Sequence, residues 1–299
     1  MCELLTFKND IMERIVNNLD KDSHLIVGLT CKEMYKILKT TNDNKKLIGS
    51  LKYLTSTLSL LKYGHKNKCT WSSRTLKNII NVTNKESLEC LIYSHENEYV
   101  HENGYSWSEV TADYAAGGGH LECLKYAHKK GCHWSSYTCS QAAQNGHLEC
   151  LKYLHENGCP WSELACLIAA GNGHLECLKY LHENGCPWHK GTCTNAAENG
   201  HLECLKYAHE NGCRWSELTC KLAAVYGRLE CIKYAHENGC PWHEWTCHNA
   251  AEYGHLECLK YAHENGCPWQ KETYRQATLN GRLECVQYCR DNGCPEMNL

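Results

Sequence analysis

The chain has 299 residues, a formal net charge of −3 and 24 cysteines. That length suits two ordinary domains or one long array, and the small net charge points away from nucleic acid and from a membrane surface as partners. No basic stretch followed by an apolar run opens the sequence, and nothing approaches the ~18 unbroken apolar residues of a membrane span. The cysteines are therefore expected as reduced thiols in a cytoplasmic compartment rather than as a secreted disulfide framework. The sequon Asn81-Val82-Thr83 is then a chance match.

Residues 1–45 form a segment of their own. Ile11, Ile15, Val16 and Leu19 share one helical face, Leu25 and Leu29 begin a second helix, and Cys31, Met34, Tyr35 and Leu38 a third. Asp10-Ile11, Ile15, Leu19-Asp20, Leu25 and the run Leu29-Thr30-Cys31-Lys32 with Tyr35 resemble an F-box. The Leu-Pro opening of that family is missing; only Leu5 and Phe7 stand nearby. The resemblance implies docking to the linker subunit of a cullin–RING ubiquitin ligase, with Ile11, Ile15, Leu19, Leu25 and Leu29 as the contacts. Read without it, the same helices are a cap, because a terminal unit must shield the apolar face of the first repeat.

From residue 46 to residue 299 one pattern recurs. The Leu of Leu-Glu-Cys stands at Leu88, Leu121, Leu148, Leu175, Leu202, Leu229, Leu256 and Leu283, and from Leu121 onward the step is 27 residues (148 − 121). A worn copy, LSLLKYGHKNKCTW, begins at Leu58. The longer step before Leu121 comes from HENEYVHENGYSW, a local duplication expected as an exposed loop. A period of this size marks a solenoid or array.

Each unit reads as two short helices. In the unit that begins at Gly146, Leu148, Cys150, Leu151, Leu154 and part of Tyr153 make an apolar stripe, with Glu149 and Lys152 outside as an i,i+3 ion pair. Asn157-Gly158 ends that helix and Pro160 keeps it from continuing. Ser162 is expected as the N-cap of the next helix, whose Ala169-Ala170 pair admits a close neighbour before Asn172-Gly173 turns the chain back.

The run Ala196-Ala197-Glu198-Asn199-Gly200-His201-Leu202-Glu203, with Thr192 and Cys193 upstream, resembles the ankyrin repeat. Ankyrin units usually run about 33 residues, and the units here lose about six at the place where the family carries its β-hairpin finger. The expected fold is all-α: an α-solenoid of short antiparallel helix pairs, the finger shortened or absent. Trp134, Trp161, Trp188, Trp215, Trp242 and Trp269 stand at the shortened turn and are expected to pack between units in place of the finger; a platform for stacking an aromatic ligand is the alternative.

Cys and His recur too regularly to mark one catalytic centre. Cysteines stand at 123, 132 and 139, then 150, 159 and 166, then 177, 186 and 193, and onward. His120 and Cys123 lie three apart on a helix, which would suit a metal. Against it, no C-x-x-C pair occurs, Arg228 and Arg282 replace the His, and Tyr274 replaces a Cys. Buried packing is the expected role and no metal or other cofactor is expected, with a metal-buffering array as a distant third reading of the protein. No catalytic signature is present, and no enzyme is expected.

Function is sought where the units differ. In the first helix of each pair, Thr, Cys, Ala and Ala recur, while variable positions four and three apart share a face: Tyr137, Gln141 and Gln144; Leu164, Ile168 and Gly171; Gly191, Asn195 and Glu198; Leu218, Leu222 and Val225; Trp245, Asn249 and Glu252; Glu272, Gln276 and Leu279. Lys221, His248 and Arg275 lie between them. The ankyrin resemblance implies that this face is the concave surface on which a target protein docks, and aliphatics exposed there call for a partner. The candidate target-binding residues are Tyr137, Gln141, Leu164, Ile168, Leu218, Leu222, Val225, Trp245, His248, Asn249 and Glu252, with Trp245 as the anchor. The expected protein is a monomeric, non-enzymatic adaptor that joins a target to a ubiquitin ligase, similar to ankyrin-repeat proteins of giant amoeba-infecting viruses and acting in the host cytoplasm; a repeat scaffold with no ubiquitin link is the alternative.

Overall fold

The structure, a computed structural model, describes residue 62, residues 86–97 and residues 109–295. The F-box-like segment, the worn copy at Leu58 and most of the HENEYVHENGYSW insertion lie outside the described residues. The chain divides into two compact units, Met1–His133 and Trp134–Leu299. In the first lie α1 (Glu86–Glu96), α2 (Glu109–Gly117) and α3 (Leu121–Lys129). The second contains α4 (Ser136–Gln144), α5 (Leu148–Glu156), α6 (Glu163–Gly171), α7 (Leu175–Glu183), α8 (Thr192–Asn199), α9 (Leu202–Glu210), α10 (Leu218–Val225), α11 (Leu229–Glu237), α12 (Thr246–Tyr253), α13 (Leu256–Glu264), α14 (Lys271–Leu279) and α15 (Leu283–Asp291). Among the described residues there is no strand, and no helix is long and apolar enough to cross a membrane.

Both helices of a pair end by one device. At the end of α4, Gly146 adopts φ 75°, the His147 N–H bonds the Ala142 carbonyl at 2.9 Å and the Gly146 N–H reaches the Ala143 carbonyl. At the end of α5, Gly158 adopts φ 79°, the Cys159 N–H bonds the Leu154 carbonyl at 2.9 Å and the Gly158 N–H the His155 carbonyl at 3.0 Å. These paired bonds are a Schellman closure: a left-handed glycine lets the chain fold back and satisfy carbonyls that the helix leaves open. The capping Asn adds a side-chain bond, as from Asn157 Nδ2 to the Tyr153 carbonyl at 2.8 Å. Helix starts are more varied. Ser135 and Thr138 cap α4 reciprocally, but Ser162, although it stands at the N-cap of α6, makes no side-chain cap bond. At the equivalent place His189 Nδ1 accepts the Gly191 N–H and His243 Nδ1 accepts the Trp245 N–H.

Packing in Trp134–Leu299 runs from pair to pair. First helices α4, α6, α8, α10, α12 and α14 stack side by side, and they approach more closely than the second helices do. The alanine pairs, such as Ala169-Ala170 and Ala196-Ala197, are wholly buried at that contact. Leu151, Leu154, Leu178, Leu181, Leu205, Ile232 and Leu259 are fully buried along the second helices. The outward Glu149–Lys152 pair forms at 2.8 Å and recurs at the same register as Glu176–Lys179 and Glu203–Lys206.

The turn tryptophans join one pair to the next. Trp188 stacks on His182 with ring centroids 4.5 Å apart and meets Tyr207 of the following pair edge-on at 6.4 Å. Its Nε1 donates to the Asn211 carbonyl at 2.9 Å, and His182 Nδ1 lies 3.1 Å from the Tyr207 hydroxyl. The same His–Trp–Tyr contact recurs at Trp161, Trp215, Trp242 and Trp269. In Met1–His133, His95 and Tyr126 carry the corresponding hydrogen bond at 3.1 Å. A thermodynamic cycle of His182→Ala and Trp188→Ala, read by urea unfolding, should return a coupling of about 0.5–1.5 kcal/mol, the range of a buried aromatic pair. Coupling indistinguishable from zero would show that the rings merely sit near each other.

Every described cysteine is at most 4% exposed, and none is in a disulfide. Burial raises Cys177, Cys204 and Cys231 from the ordinary 9.0 to about 11, and Cys258 to about 12. A thiol whose folded pKa lies above its unfolded one favours the folded state in its protonated form. Between the two values the folded chain holds more protons, so stability is full below about pH 9 and falls as pH rises towards 11. Urea midpoints measured from pH 8 to pH 11 should decline over that window, and less steeply in the Cys177→Ala, Cys204→Ala, Cys231→Ala variant; a flat profile would contradict the burial.

Candidate docking face of the first helices

The histidine before each second helix, a candidate ligand by its residue type, has a structural task. His174 Nε2 donates to the Gln144 carbonyl at 3.0 Å and His255 Nε2 to the Val225 carbonyl at 3.0 Å, each reaching the end of the first helix one pair earlier. Where arginine replaces it, Arg228 Nε bonds the Glu198 carbonyl at 3.2 Å and Arg282 Nε the Glu252 carbonyl at 3.1 Å. A carbonyl only accepts, so the required chemistry is an N–H donor, which both residues supply and which explains the exchange. The ring also needs room: a Cβ at Gly146 or Gly173 would stand 2.5 Å from Nδ1 of His174 or His201.

The cysteines pair by register, one from the first helix and one from the turn that follows the second. Cys166 Sγ lies 3.9 Å from the Cys186 carbonyl, Cys193 Sγ 3.8 Å from that of Cys213, and Cys247 Sγ 3.7 Å from that of Cys267. Hydrogen bonding within each pair raises the pKa of the first-helix thiol and lowers that of its turn partner, Cys213 to about 7. Cys213 is 3% exposed, however, so its thiol is closed to reagents of any size. Among the described residues no three His, Cys, Asp or Glu side chains are placed to hold a metal.

The variable first-helix residues are left over from this packing. Tyr137, Leu164, Leu218 and Trp245 are 57%, 46%, 38% and 42% exposed and occupy one register position in successive pairs, interrupted by Gly191. Gln141, Ile168, Leu222, Val225, His248 and Glu252 are half-buried beside them. Gly171 is buried, and a Cβ there would stand 2.6 Å from Asn195 Nδ2, so glycine admits the neighbouring asparagine.

Asn249 departs from expectation. It is 92% buried, the complement of its 8% exposure, so it does not present a side chain to a partner as the i,i+4 spacing suggests. The equivalent Asn195 shows why: its Nδ2 lies 3.5 Å from the Leu167 carbonyl and against Gly171, so at this register the side chain turns to the first helix of the preceding pair rather than to solvent. Trp245 is also not a helical residue but the N-cap of α12, with φ −95° and ψ 7°. Its indole Nε1 donates to Glu244 Oε1 at 2.8 Å, and its ring meets His248 edge-on at 4.6 Å. Burial first, and Lys221 in smaller part, lower the His248 pKa against the opposing pull of Glu252 and Glu272. A small cleft, open to solvent, begins at this ring and is lined by Glu244, Trp245, His248, Gln270, Glu272 and Thr273. Glu244, Gln270 and Thr273 were invisible as site residues in the sequence, because they meet only when α12 and α14 stack. The predicted ligase contacts Ile11, Ile15, Leu19, Leu25 and Leu29 lie outside the described residues.

Comparison with known proteins agrees with this geometry. A family profile for ankyrin repeats (3 copies) matches residues 139–217, and a second, for ankyrin repeats (many copies), matches residues 220–263. Among solved structures, the ankyrin repeat domain of human ASB11 superposes with a TM-score of 0.51 at 21% identity, covering 57% of this chain and 95% of that one. No curated protein matches the chain in sequence. The helix pairs, their turns and both comparisons lead to one conclusion: the described helices form an all-α solenoid whose residues 139–263 carry ankyrin repeats, a type of repeat that serves as a protein–protein interaction scaffold.

Proposed function

We propose that the protein is a non-enzymatic adaptor whose first-helix face captures a target protein. The observation that supports this most directly is the row Tyr137, Leu164, Leu218 and Trp245: large apolar side chains left in solvent at one register position, broken only by Gly191, beside Cys and Ala positions that are wholly buried. Packing demands nothing at that position, as Gly191 in the same register shows. Half-buried Gln141, Ile168, Leu222, Val225, His248 and Glu252 supply the surrounding mixture of apolar floor and polar rim found at docking surfaces. Asn249, which is buried, is not among the residues offered to the target.

The second half of the proposal concerns residues 1–45. Their likeness to an F-box supports docking to the linker subunit of a cullin–RING ligase through Ile11, Ile15, Leu19, Leu25 and Leu29. The adaptor would then present its target for ubiquitin transfer in the cytoplasm, that of the host if the chain is viral. The missing Leu-Pro opening favours a second reading, a repeat scaffold whose N-terminal segment is only a cap.

Two experiments separate these. Targets cross-linked to the full-length chain in cells should be lost with Leu164→Asp, Leu218→Asp, which removes two apolar contacts, weakens binding by about tenfold or more, and leaves the helical signal intact. Lys152→Ala on the second-helix side serves as the control, and equal losses from both variants would refute the assignment of the face. Separately, Leu19→Asp or Leu25→Asp should abolish recovery of the ligase linker subunit while target capture persists. A full-length chain that never recovers that subunit leaves only the scaffold reading.

A further inference from the structure

The cleft beside Trp245 is chemically unlike its counterparts in the repeats before it. Its lining holds an exposed indole, two carboxylates (Glu244 and Glu272), and the neutral polar groups of Gln270 and Thr273, with no lysine or arginine. Twenty-seven residues earlier, the corresponding positions are Glu217, Leu218, Lys221, His243, Trp245 and Thr246, where Lys221 stands in place of His248 and the indole is replaced by leucine. One repeat further back they are Lys190, Gly191, Thr194, Ser216, Leu218 and Thr219, with neither aromatic nor acid. Aromatic face and paired negative charge thus coincide at one place among these three repeats.

The cleft is also held in shape. The Trp245 indole is tied to Glu244 Oε1 at 2.8 Å, its backbone N–H to His243 Nδ1 at 3.1 Å, and its ring is braced by His248. His248 Nε2 lies 3.5 Å from Glu252 Oε2, which adds a third carboxylate behind the lining. Burial disfavours the charged imidazole, so His248 does not oppose a cation at neutral pH. Of the four buried side-chain polar atoms without a hydrogen-bond partner among the described residues, three lie on α12: Thr246 Oγ1, His248 Nδ1 and Asn249 Nδ2. An unsatisfied buried polar group in an otherwise well-paired structure calls for an explanation.

We propose that this cleft receives an arginine side chain of the target protein. A guanidinium is planar, stacks on an indole, and presents a fork of N–H donors to carboxylates. Glu244 and Glu272 supply the acceptors and Trp245 the stacking surface, while Gln270 and Thr273, tied to each other in the cap of α14, complete the lining. The proposal rests on the docking role of the first-helix face and adds the chemistry of one contact on it.

The probe is N-acetyl-arginine amide, titrated into the ¹⁵N-labelled full-length chain, with the Trp245 indole signal identified by its loss in Trp245→Phe. Arginine should shift that signal saturably, and N-acetyl-citrulline amide, its neutral isostere, should not. Glu244→Gln, Glu272→Gln should weaken arginine binding by about tenfold, and raising salt from about 0.05 to about 0.5 M should weaken it in the parent chain. No shift at about 50 mM arginine, equal binding of citrulline, or an unchanged affinity in the double variant overturns the proposal. The outcome is independent of the docking reading: a silent cleft with target capture still lost in Leu164→Asp, Leu218→Asp removes the arginine contact alone. Capture that ignores the face variants removes the docking role itself.

Discussion

Helices of eight or nine residues are marginal in water, and every helix from Trp134 onward is that short. Each must therefore borrow its stability from the next pair, and the chain provides one contact that does so repeatedly. A histidine near the end of the second helix stacks on the tryptophan of the following turn, and both meet the tyrosine one pair further on. The shortened turn is what brings these three rings together. With no hairpin finger to cover it, the apolar side of the turn is closed by the indole, whose one donor is used on the carbonyl of the next capping asparagine.

That dependence gives many chemically capable residues a structural task. The histidine before each second helix is a donor to an open helix end, the one near its end is a stacking partner, and those at 189 and 243 cap helix starts. Three cysteines per pair are buried as small apolar side chains among the alanines and leucines of the stack. Once these roles are subtracted, the first-helix face remains as the surface that packing does not specify. Variation there carries little cost, since in a repeat array stability is roughly a sum over units and their interfaces.

Whatever recurs was legible in the chain before its structure. Period, helix ends, buried alanines and the turn tryptophans can be read from Gly146 to Cys294 because each copy corroborates the others. The exchange of His for Arg at 228 and 282 told against a metal ligand in the sequence, whereas the N–H donor role that both residues share emerges only from the bonds to the preceding helix end. What escaped was whatever occurs once. Asn249 sits at the spacing of an exposed residue, yet it is buried, and spacing along one helix says nothing of a neighbouring helix. Ser162 has the residue type of a cap without the bond. The cleft at Trp245 joins Glu244 to Thr273 across 29 positions (273 − 244), and no local pattern encodes that meeting.

The unpartnered atoms of α12 show how the two demands on this array meet. Leaving a buried donor or acceptor unpaired costs about 1–3 kcal/mol, and His248 and Asn249 incur such a cost side by side. A small single-core domain would feel it throughout. Here the α12–α13 pair is held by neighbours on both sides, by the ring contacts at Trp242 and Trp269 and by the Arg282 bond to the Glu252 carbonyl. A repeat in the interior of a stack can thus carry local dissatisfaction that a terminal repeat could not, because two interfaces rather than one oppose its opening. The same reasoning accounts for the exposed ring: an indole kept in solvent and polar groups kept unpaired are tolerated in the α12 repeat because the contacts that hold it together lie on its other faces.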